Sequence, residues 1–504
     1  MKIKNVKNND IVIFIYFFIL IAATILTKSL NNLDELWNYN FANNIAKGNL
    51  PYGDFNMVQT PLLAIVCGFI LKIFGNELIV MRIIAIFLNT IIIFLVYKIL
   101  ELLKINKHIV YLSLTGIYFI YFDYFCLDYN FAVLLVALLS LYLEIKNLNK
   151  DGNLLRFNVK KEIVLGILVG TSILFKQTTG LFLSLIFIFY KLLMVRGKEQ
   201  WKTIGKIIVT RTIGVLVPVV LLVVYLVVNN IWMEFLDYTI YGIKTFSNKI
   251  SYINLLRVYE LPVKILSMIV PSIIIYMYFV SVVKEIKLEE QKNIFILFAY
   301  SVACFIVTFP ISDSIHFLIG SMPAIISLIY IIWIGIKKIK LKQELTVFIK
   351  EFIKAFSILA ICYFIVLALT LTGIYFTNYS NFSSMKHFRF IQSGLDNKIA
   401  EIDEYILEQN SRGKKVYILD ATACIYMIPL DKYNKDYDMF LKGNIGARGE
   451  EGQIEKLKNK ENILILIMNE NYSRNWQNPE QVRKYIIENW RKIGEISTFD
   501  IYQK

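Results

Sequence analysis

The 504-residue chain is 57% hydrophobic and 14% aromatic, with a mean hydropathy of +0.55, more apolar than soluble globular domains are; this places it among polytopic membrane proteins. Its formal charge of +15 is spread over short loops and forms no single basic stripe, so no nucleic-acid partner is expected. Cys67, Cys126, Cys304, Cys362 and Cys424 lie far apart and outline neither a disulfide framework nor a zinc site.

Lys2, Lys4 and Lys7 precede the first apolar run, Ile11 to Thr27. That run lacks an A-x-A-like cleavage site and is followed by many others, so it reads as a retained helix. A polar stretch opened by Asp34-Glu35 comes next, DELWNYNFANNIAKGNLPYGDFNMVQTP. Pro61 to Phe74 is apolar, but at about fourteen residues it is short for a span. Runs long enough to cross a bilayer fall at about 11–28, 79–101, 109–127, 129–145, 162–177, 179–195, 207–229, 263–283, 293–310, 315–336 and 354–376, which predicts eleven spans. With Pro61–Phe74 lying on the outer surface, the basic loops Lys98–Lys107, Lys146–Lys161, Lys191–Arg211, Lys284–Lys292 and Lys337–Lys354 all fall inside. Were it to span, every one of them would move outside, against the positive-inside bias. The outer segments are then Leu30–Thr60, Asp123–Asn130, Lys176–Thr179, Phe309–His316 and the long Asn230–Pro262 loop, and the first four are expected to converge.

After about Thr377 the apolar runs shorten, and from Asn381 the chain is close to neutral. Residues 378–504 therefore read as a small extracytoplasmic α/β domain following a membrane domain of residues 1–377. The pattern predicts a helix over Gly394–Gln409, strands at Lys415–Leu419 and Asn462–Met468, and a final strand at about Gly494–Tyr502. A further helix should start at Asn478-Pro479, with Asn478 as its cap and Gln481 in the capping-box position. Asp420 and Asn469-Glu470-Asn471 stand at strand ends, where open α/β sheets bind ligands. The glycines Gly443, Gly446 and Gly449 read as a turn and not as a dinucleotide fingerprint.

The chemistry-bearing residues lie in the outer segments. Asp34 and Glu35 are adjacent, so on a helix they point about 100° apart; one would act and the other would orient or bind. A carboxylate pair at the membrane edge is costly to desolvate, which favours a catalytic role over a plain helix N-terminal pair. Asp123 and Asp128 flank an outer turn, and Asp128 is preferred because it lies at the turn itself. Lys176, in LFKQTTG, breaks the positive-inside pattern and suits a lipid phosphate. Asp313 and His316, three apart in FPISDSIHF, share one side of a helical turn; the simpler reading is a loop capped by Asp313. Arg82 near the start of its span either binds or snorkels.

An Asp-Glu pair after the first span, the string GNLPYGDF…TPLLAIVCGFILKIFG…MR, the KQTTG turn and a later D-x-x-H loop together resemble the GT-C glycosyltransferases, over roughly the first 330 residues. The resemblance is to the bacterial branch related to protein O-mannosyltransferases and lipid A aminoarabinose transferases. It implies a polytopic α-helical fold with outer juxtamembrane helices, a catalytic acid in the first outer loop and a polyprenyl-phosphate sugar donor. Mapped onto this chain, Asp34 would be the general base of an inverting transfer and Glu35 its companion. Lys176, Asp128, Asp313, His316, Arg82, Tyr52 and Asp54 would contact substrate. No cofactor is required; a divalent metal could bridge Asp34, Glu35 and the phosphate, though no compact ligand cluster demands one. The expected partners are the lipid-linked donor, membrane lipids and an envelope acceptor that is a glycan, lipid or protein. The alternatives are a lipid-linked sugar transporter or flippase, or a membrane sensor with an external domain. Transporters commonly show paired interrupted spans, and no such pair is found.

Overall fold

The computed structural model describes residues 8–30, 33–195, 197–246, 249–283, 289–338, 343–472 and 478–504. Lys2, Lys4 and Lys7, together with parts of three inner loops, lie outside the described residues. The protein is a multi-pass membrane protein, and among the described residues nine helices are long and apolar enough to cross a bilayer. Two of the eleven predicted spans correspond to shorter helices, Lys107–Tyr121 with 15 residues and Val159–Phe175 with 17. Leu62–Phe74 is a helix of only 13 residues, in keeping with its reading as a segment too short to span.

The chain divides into two compact units, each assembled from three stretches. The first comprises Met1–Ile25, Ala85–Leu221 and Ile250–Ile374, and is a bundle of apolar helices. Lipid gives no hydrophobic drive for helix to meet helix, so close backbone approach and interhelical hydrogen bonds must supply it. Both are present. Gly166 and Gly170, one turn apart on the Val159–Phe175 helix, face the Lys198–Val228 helix so tightly that a β-carbon on Gly170 would stand 2.5 Å from the Val215 carbonyl oxygen. Tyr121 donates to the Leu318 carbonyl at 2.5 Å, Thr24 and Tyr118 share a hydrogen bond of 2.7 Å, and the Asn89 amide reaches the Cys126 carbonyl at 3.0 Å.

The second unit comprises Leu26–Ile84, Leu222–Lys249 and Tyr375–Lys504. It is larger than the tail taken alone, because the first loop packs with the tail. The Leu33–Ala46 helix donates its Trp37 indole N–H to the Ala421 carbonyl at 2.7 Å, and Lys47 just beyond it pairs with Asp431 at 2.9 Å. The tail holds a four-stranded sheet: β1 (Lys415–Ile418), β2 (Ile463–Met468), β3 (Arg491–Ile496) and β4 (Phe499–Gln503), in the order β1-β2-β4-β3. β1 and β2 are parallel, and the other pairs are antiparallel. β2, the run ILILIM, is buried along nearly its whole length, as expected of an inner strand covered on both faces.

Two expectations for the tail are corrected and one is met with its ends shifted by two residues. The single final strand is a hairpin, β3 and β4, because Ser497 adopts a positive φ of 50° and turns the chain. The helix expected over Gly394–Gln409 runs from Asp396 to Ser411. The last helix begins at Glu480 with no cap from Asn478; the Glu450 carboxylate of the Gly449–Lys458 helix instead accepts the N–H of Gln481 at 2.6 Å and of Val482 at 3.3 Å. A tertiary carboxylate thus satisfies orphan donors that local pattern assigned to a neighbour in sequence.

The glycine-rich loop is a seat for the Leu222–Lys249 stretch. Gly443 donates to Thr245 Oγ1 at 2.8 Å and Ala447 donates to Asp237 Oδ1 at 3.0 Å. Gly446 has φ 78°, and a β-carbon there would lie 2.7 Å from Asp237 Oδ2, so both backbone conformation and space require glycine.

Two predictions follow from this packing. Gly170→Leu should lower the thermal midpoint by an amount equivalent to about 1–3 kcal/mol of overpacking. Gly116→Leu, at a glycine with open space around it, should leave the midpoint unchanged in the same melting assay. Within the tail, burial pushes the Asp438 and Asp403 carboxyls up to about 7. A carboxyl whose pKa is raised by folding binds more protons folded than unfolded, so its contribution to stability is present at pH 5 and lost as pH rises through 7. Burial acts in the same direction on Asp431, but hydrogen bonds from Lys386, Lys47 and His387 outweigh it and hold that carboxyl well below the usual range, so it contributes no slope above pH 5. Melting of the tail should therefore rise from pH 8 to pH 5, and Asp438→Asn should flatten the slope; an unchanged slope would remove Asp438 as its source.

Candidate functional site

The residues singled out from sequence fall into two groups, one in each compact unit. In the second unit Asp34 and Glu35 stand in the first turn of the Leu33–Ala46 helix, where the helix dipole favours carboxylates. Glu35 is buried and is gripped by Arg82 through two parallel hydrogen bonds, Nε to Oε1 and Nη2 to Oε2, each 2.9 Å. Arg82 is fully buried, and the rest of its fork donates to the carbonyls of Lys28 at 2.6 Å and Ser29 at 3.2 Å. Planar, bidentate and charge-assisted, this pair fixes the start of the helix against the chain entering it. Arg82 does not snorkel; it is fully buried and anchors Glu35. The pair also fixes the placement of Asp34, the half-buried preceding residue, about 100° around the helix. The tail reaches the same place, where Leu30 donates to the Gln392 carbonyl at 2.9 Å.

Tyr52 and Asp54 have local tasks. Tyr52 is fully buried at φ 67°, donates to the Gln59 carbonyl at 2.6 Å and packs edge-on against Phe235. Asp54 is exposed and accepts the Leu50 N–H at 2.7 Å, closing a turn.

In the first unit Asp128 caps the Tyr129–Asp151 helix, accepting the Asn130 N–H at 2.6 Å. Asp123, by contrast, is exposed. Lys176 forms the extended joint between the Val159–Phe175 and Gln177–Phe189 helices. Its ammonium donates to Asn130 Oδ1 at 2.8 Å and lies 5.0 Å from the centre of the Tyr129 ring, a cation–π placement. Asp313 Oδ1 accepts both the His316 N–H and a hydrogen bond from His316 Nδ1, each at 2.8 Å, so it acts as a cap and also orients the imidazole. With a carboxylate accepting at Nδ1, that nitrogen carries a proton, and the ring is fixed with Nε2 on its far side. Burial raises the Asp128 carboxyl above the usual range, and the positive charges of Lys176 and His316 pull it back down, which places these three groups in one electrostatic neighbourhood. Asn130, which couples Asp128 to Lys176, was not singled out from sequence, although it lies two residues beyond Asp128 in LDYN.

Among the described residues no group of three or more His, Cys, Asp or Glu side chains is placed to hold a metal ion. Glu35, one of the two acids considered for a metal, has both oxygens on Arg82.

No protein-family model matches the chain, and no curated protein matches it. Solved structures do. ArnT from Cupriavidus metallidurans, a lipid A aminoarabinose transferase, aligns in its apo state with a TM-score of 0.54 at 11% identity, over 98% of this chain and 97% of that one. The same protein bound to undecaprenyl phosphate aligns with a TM-score of 0.52 at 10% identity, over 99% and 98% of the two chains. The chain has the GT-C fold. A weaker likeness, with a TM-score of 0.49 at 11% identity over 92% of this chain and 69% of that one, is to the oligosaccharyltransferase AglB from Archaeoglobus fulgidus. The likeness to ArnT runs through the tail as well as the helices.

Removing Arg82 would leave Glu35 charged and buried without its partner. Arg82→Leu should therefore destabilise the second unit by about 3–5 kcal/mol, whereas Glu35→Gln, which keeps a hydrogen-bonding amide, should cost less; thermal melting of the two purified variants checks the ranking.

Proposed function

We propose that this protein is a membrane glycosyltransferase that moves a sugar from a polyprenyl-phosphate donor to an extracytoplasmic acceptor of the cell envelope. The observation that carries the reading is the acidic pair at the start of the first-loop helix in a GT-C fold, with Glu35 fixed by Arg82 and Asp34 held beside it. ArnT, which shares the fold over nearly its whole length, has been solved with undecaprenyl phosphate bound, and this supports a lipid-linked donor. The positive-inside bias of the basic loops supports an outer-face location for the first loop and the tail.

In this mechanism Asp34 removes the proton from an acceptor hydroxyl or amine as general base. The freed lone pair attacks the anomeric carbon, the bond from that carbon to the phosphate oxygen breaks, and the configuration inverts. Polyprenyl phosphate leaves with the bonding electrons, and Lys176 and His316 supply positive charge toward it. Asn130 and Asp313 set the orientation of those two side chains. Glu35 and Arg82 act through Asp34 as positioning residues and do not touch substrate.

The test is release of polyprenyl phosphate from radiolabelled polyprenyl-phosphate sugars by purified protein supplied with envelope extract. Asp34→Asn should reduce turnover by about 10²–10⁴-fold while donor binding persists, and Lys176→Ala should weaken donor binding by about tenfold or more, the loss of one charge-assisted hydrogen bond. Equal turnover in wild type and Asp34→Asn would exclude Asp34 as the base. Labelled lipid carried across vesicles without release would support a transporter instead.

A further inference from the structure

At the end of the Tyr129–Asp151 helix away from Asp128 lies a second concentration of charge that the proposed reaction does not use. Twenty-three residues at 1.5 Å each separate the two ends by roughly 33 Å, about the thickness of a bilayer core. There a cavity of about 40 Å³ is lined by Glu144, Asp151, Arg156, Lys161, Glu162 and Lys191. Behind it stands Arg211, fully buried, with its Nε 2.6 Å from Glu162 Oε2 and its Nη2 bonded to Glu144 Oε1. The second oxygen of Glu144 accepts from Tyr190 at 2.5 Å. At the mouth, Asp151 is held by Lys161 at 2.8 Å and Arg156 at 3.2 Å.

Among the described residues, Lys191, Arg211, Lys161 and Arg156 pair with Glu144, Glu162 and Asp151, four cations to three carboxylates, which leaves one positive charge over. The excess centres on Lys191, whose side chain is 7% exposed. Its carboxylate contact is Glu162 Oε1 at 3.6 Å, beyond hydrogen-bond distance, and that carboxylate is already bonded to Arg211 through its other oxygen. A buried ammonium with three donors needs acceptors, and the cavity beside it has room for roughly three water-sized groups. The N-terminus of the Val159–Phe175 helix opens onto the same place and adds its positive dipole end. A group with one negative charge and several acceptor oxygens meets all of these demands.

We propose that this cavity binds a singly charged phosphate group, of the kind presented by a phospholipid headgroup at the membrane face opposite Asp128. The phosphate oxygens accept from Lys191 within the cavity and from Arg156 and Lys161 at its mouth, and the bound lipid ties the Val159–Phe175 helix to the Tyr190–Met194 turn and to the loop that follows the Tyr129–Asp151 helix. Native mass spectrometry of the full-length protein, delipidated and then supplied with phosphatidylglycerol or phosphatidylcholine, tests this. Wild type should retain phosphatidylglycerol about tenfold over the net-neutral phosphatidylcholine. Lys191→Met should abolish that preference. So should the paired change Arg156→Gln and Lys161→Gln at the partly exposed mouth, which removes both charges and leaves amide donors for Asp151. Equal retention of the two lipids by wild type, or a preference that survives both variants, would overturn the proposal. Inorganic phosphate added to lipid-free protein separates the two sources of the group. A rise in melting temperature that Lys191→Met removes would assign the site to free phosphate; no rise, with the lipid preference intact, would assign it to the headgroup.

Discussion

The cost of placing charge in an apolar chain governs this structure. A buried ion must be paired and hydrogen-bonded or it is expelled, and Arg82 and Arg211 obey that rule. Arg82 answers Glu35 and two carbonyls, and Arg211 answers Glu144, Glu162 and the Phe187 carbonyl. In both places the guanidinium fork joins segments far apart in sequence, so the ion pair sets the register of elements that hydrophobic packing alone would let slide. Around Glu35 this constraint has a chemical consequence, because one acid of an adjacent pair is immobilised and the other is thereby fixed in place.

The same logic explains why the tail and the first loop form one compact unit. The Leu33–Ala46 helix is rich in buried amides, and an amide-rich face cannot be covered by lipid. It is covered by protein that supplies partners: the Ala421 carbonyl for Trp37, the Asn40 contact that helps hold Asp438, and Asp431 for Lys47. The glycine loop 443–449 then admits the Leu222–Lys249 stretch, with backbone N–H groups meeting Thr245 and Asp237 where side chains would block them. On this view a segment that reads as an appended soluble domain is the cover that makes a polar first loop stable.

Much of the plan was legible locally. Spans could be placed because an apolar run of about 20 residues has one physical use, and Leu62–Phe74 could be set apart by its length alone. Asp128 at the turn before its helix, Lys176 at a turn between helices and the cap made by Asp313 three residues before His316 were also readable, since each depends on neighbours within one turn. What local pattern missed depended on distant residues. Arg82 reads from sequence as a snorkelling or binding cation, and only its meeting with Glu35, 47 residues away, shows it to be an anchor. The last helix is capped by Glu450, 31 residues from Gln481, where sequence pattern pointed to Asn478.

By itself, then, the sequence determined the membrane class, the placement of most helices and the choice of acids and cations worth attention. Hydropathy, helix periodicity and capping are short-range effects written into adjacent residues. Tertiary structure alone decided which charges are paired, and so which acid of the Asp34-Glu35 pair is held as an anchor. It also decided that the tail packs with the first loop, and that four cations meet three carboxylates at the far end of the bundle. Electrostatic pairing in a medium of low dielectric depends on distances between groups that the chain brings together only when folded.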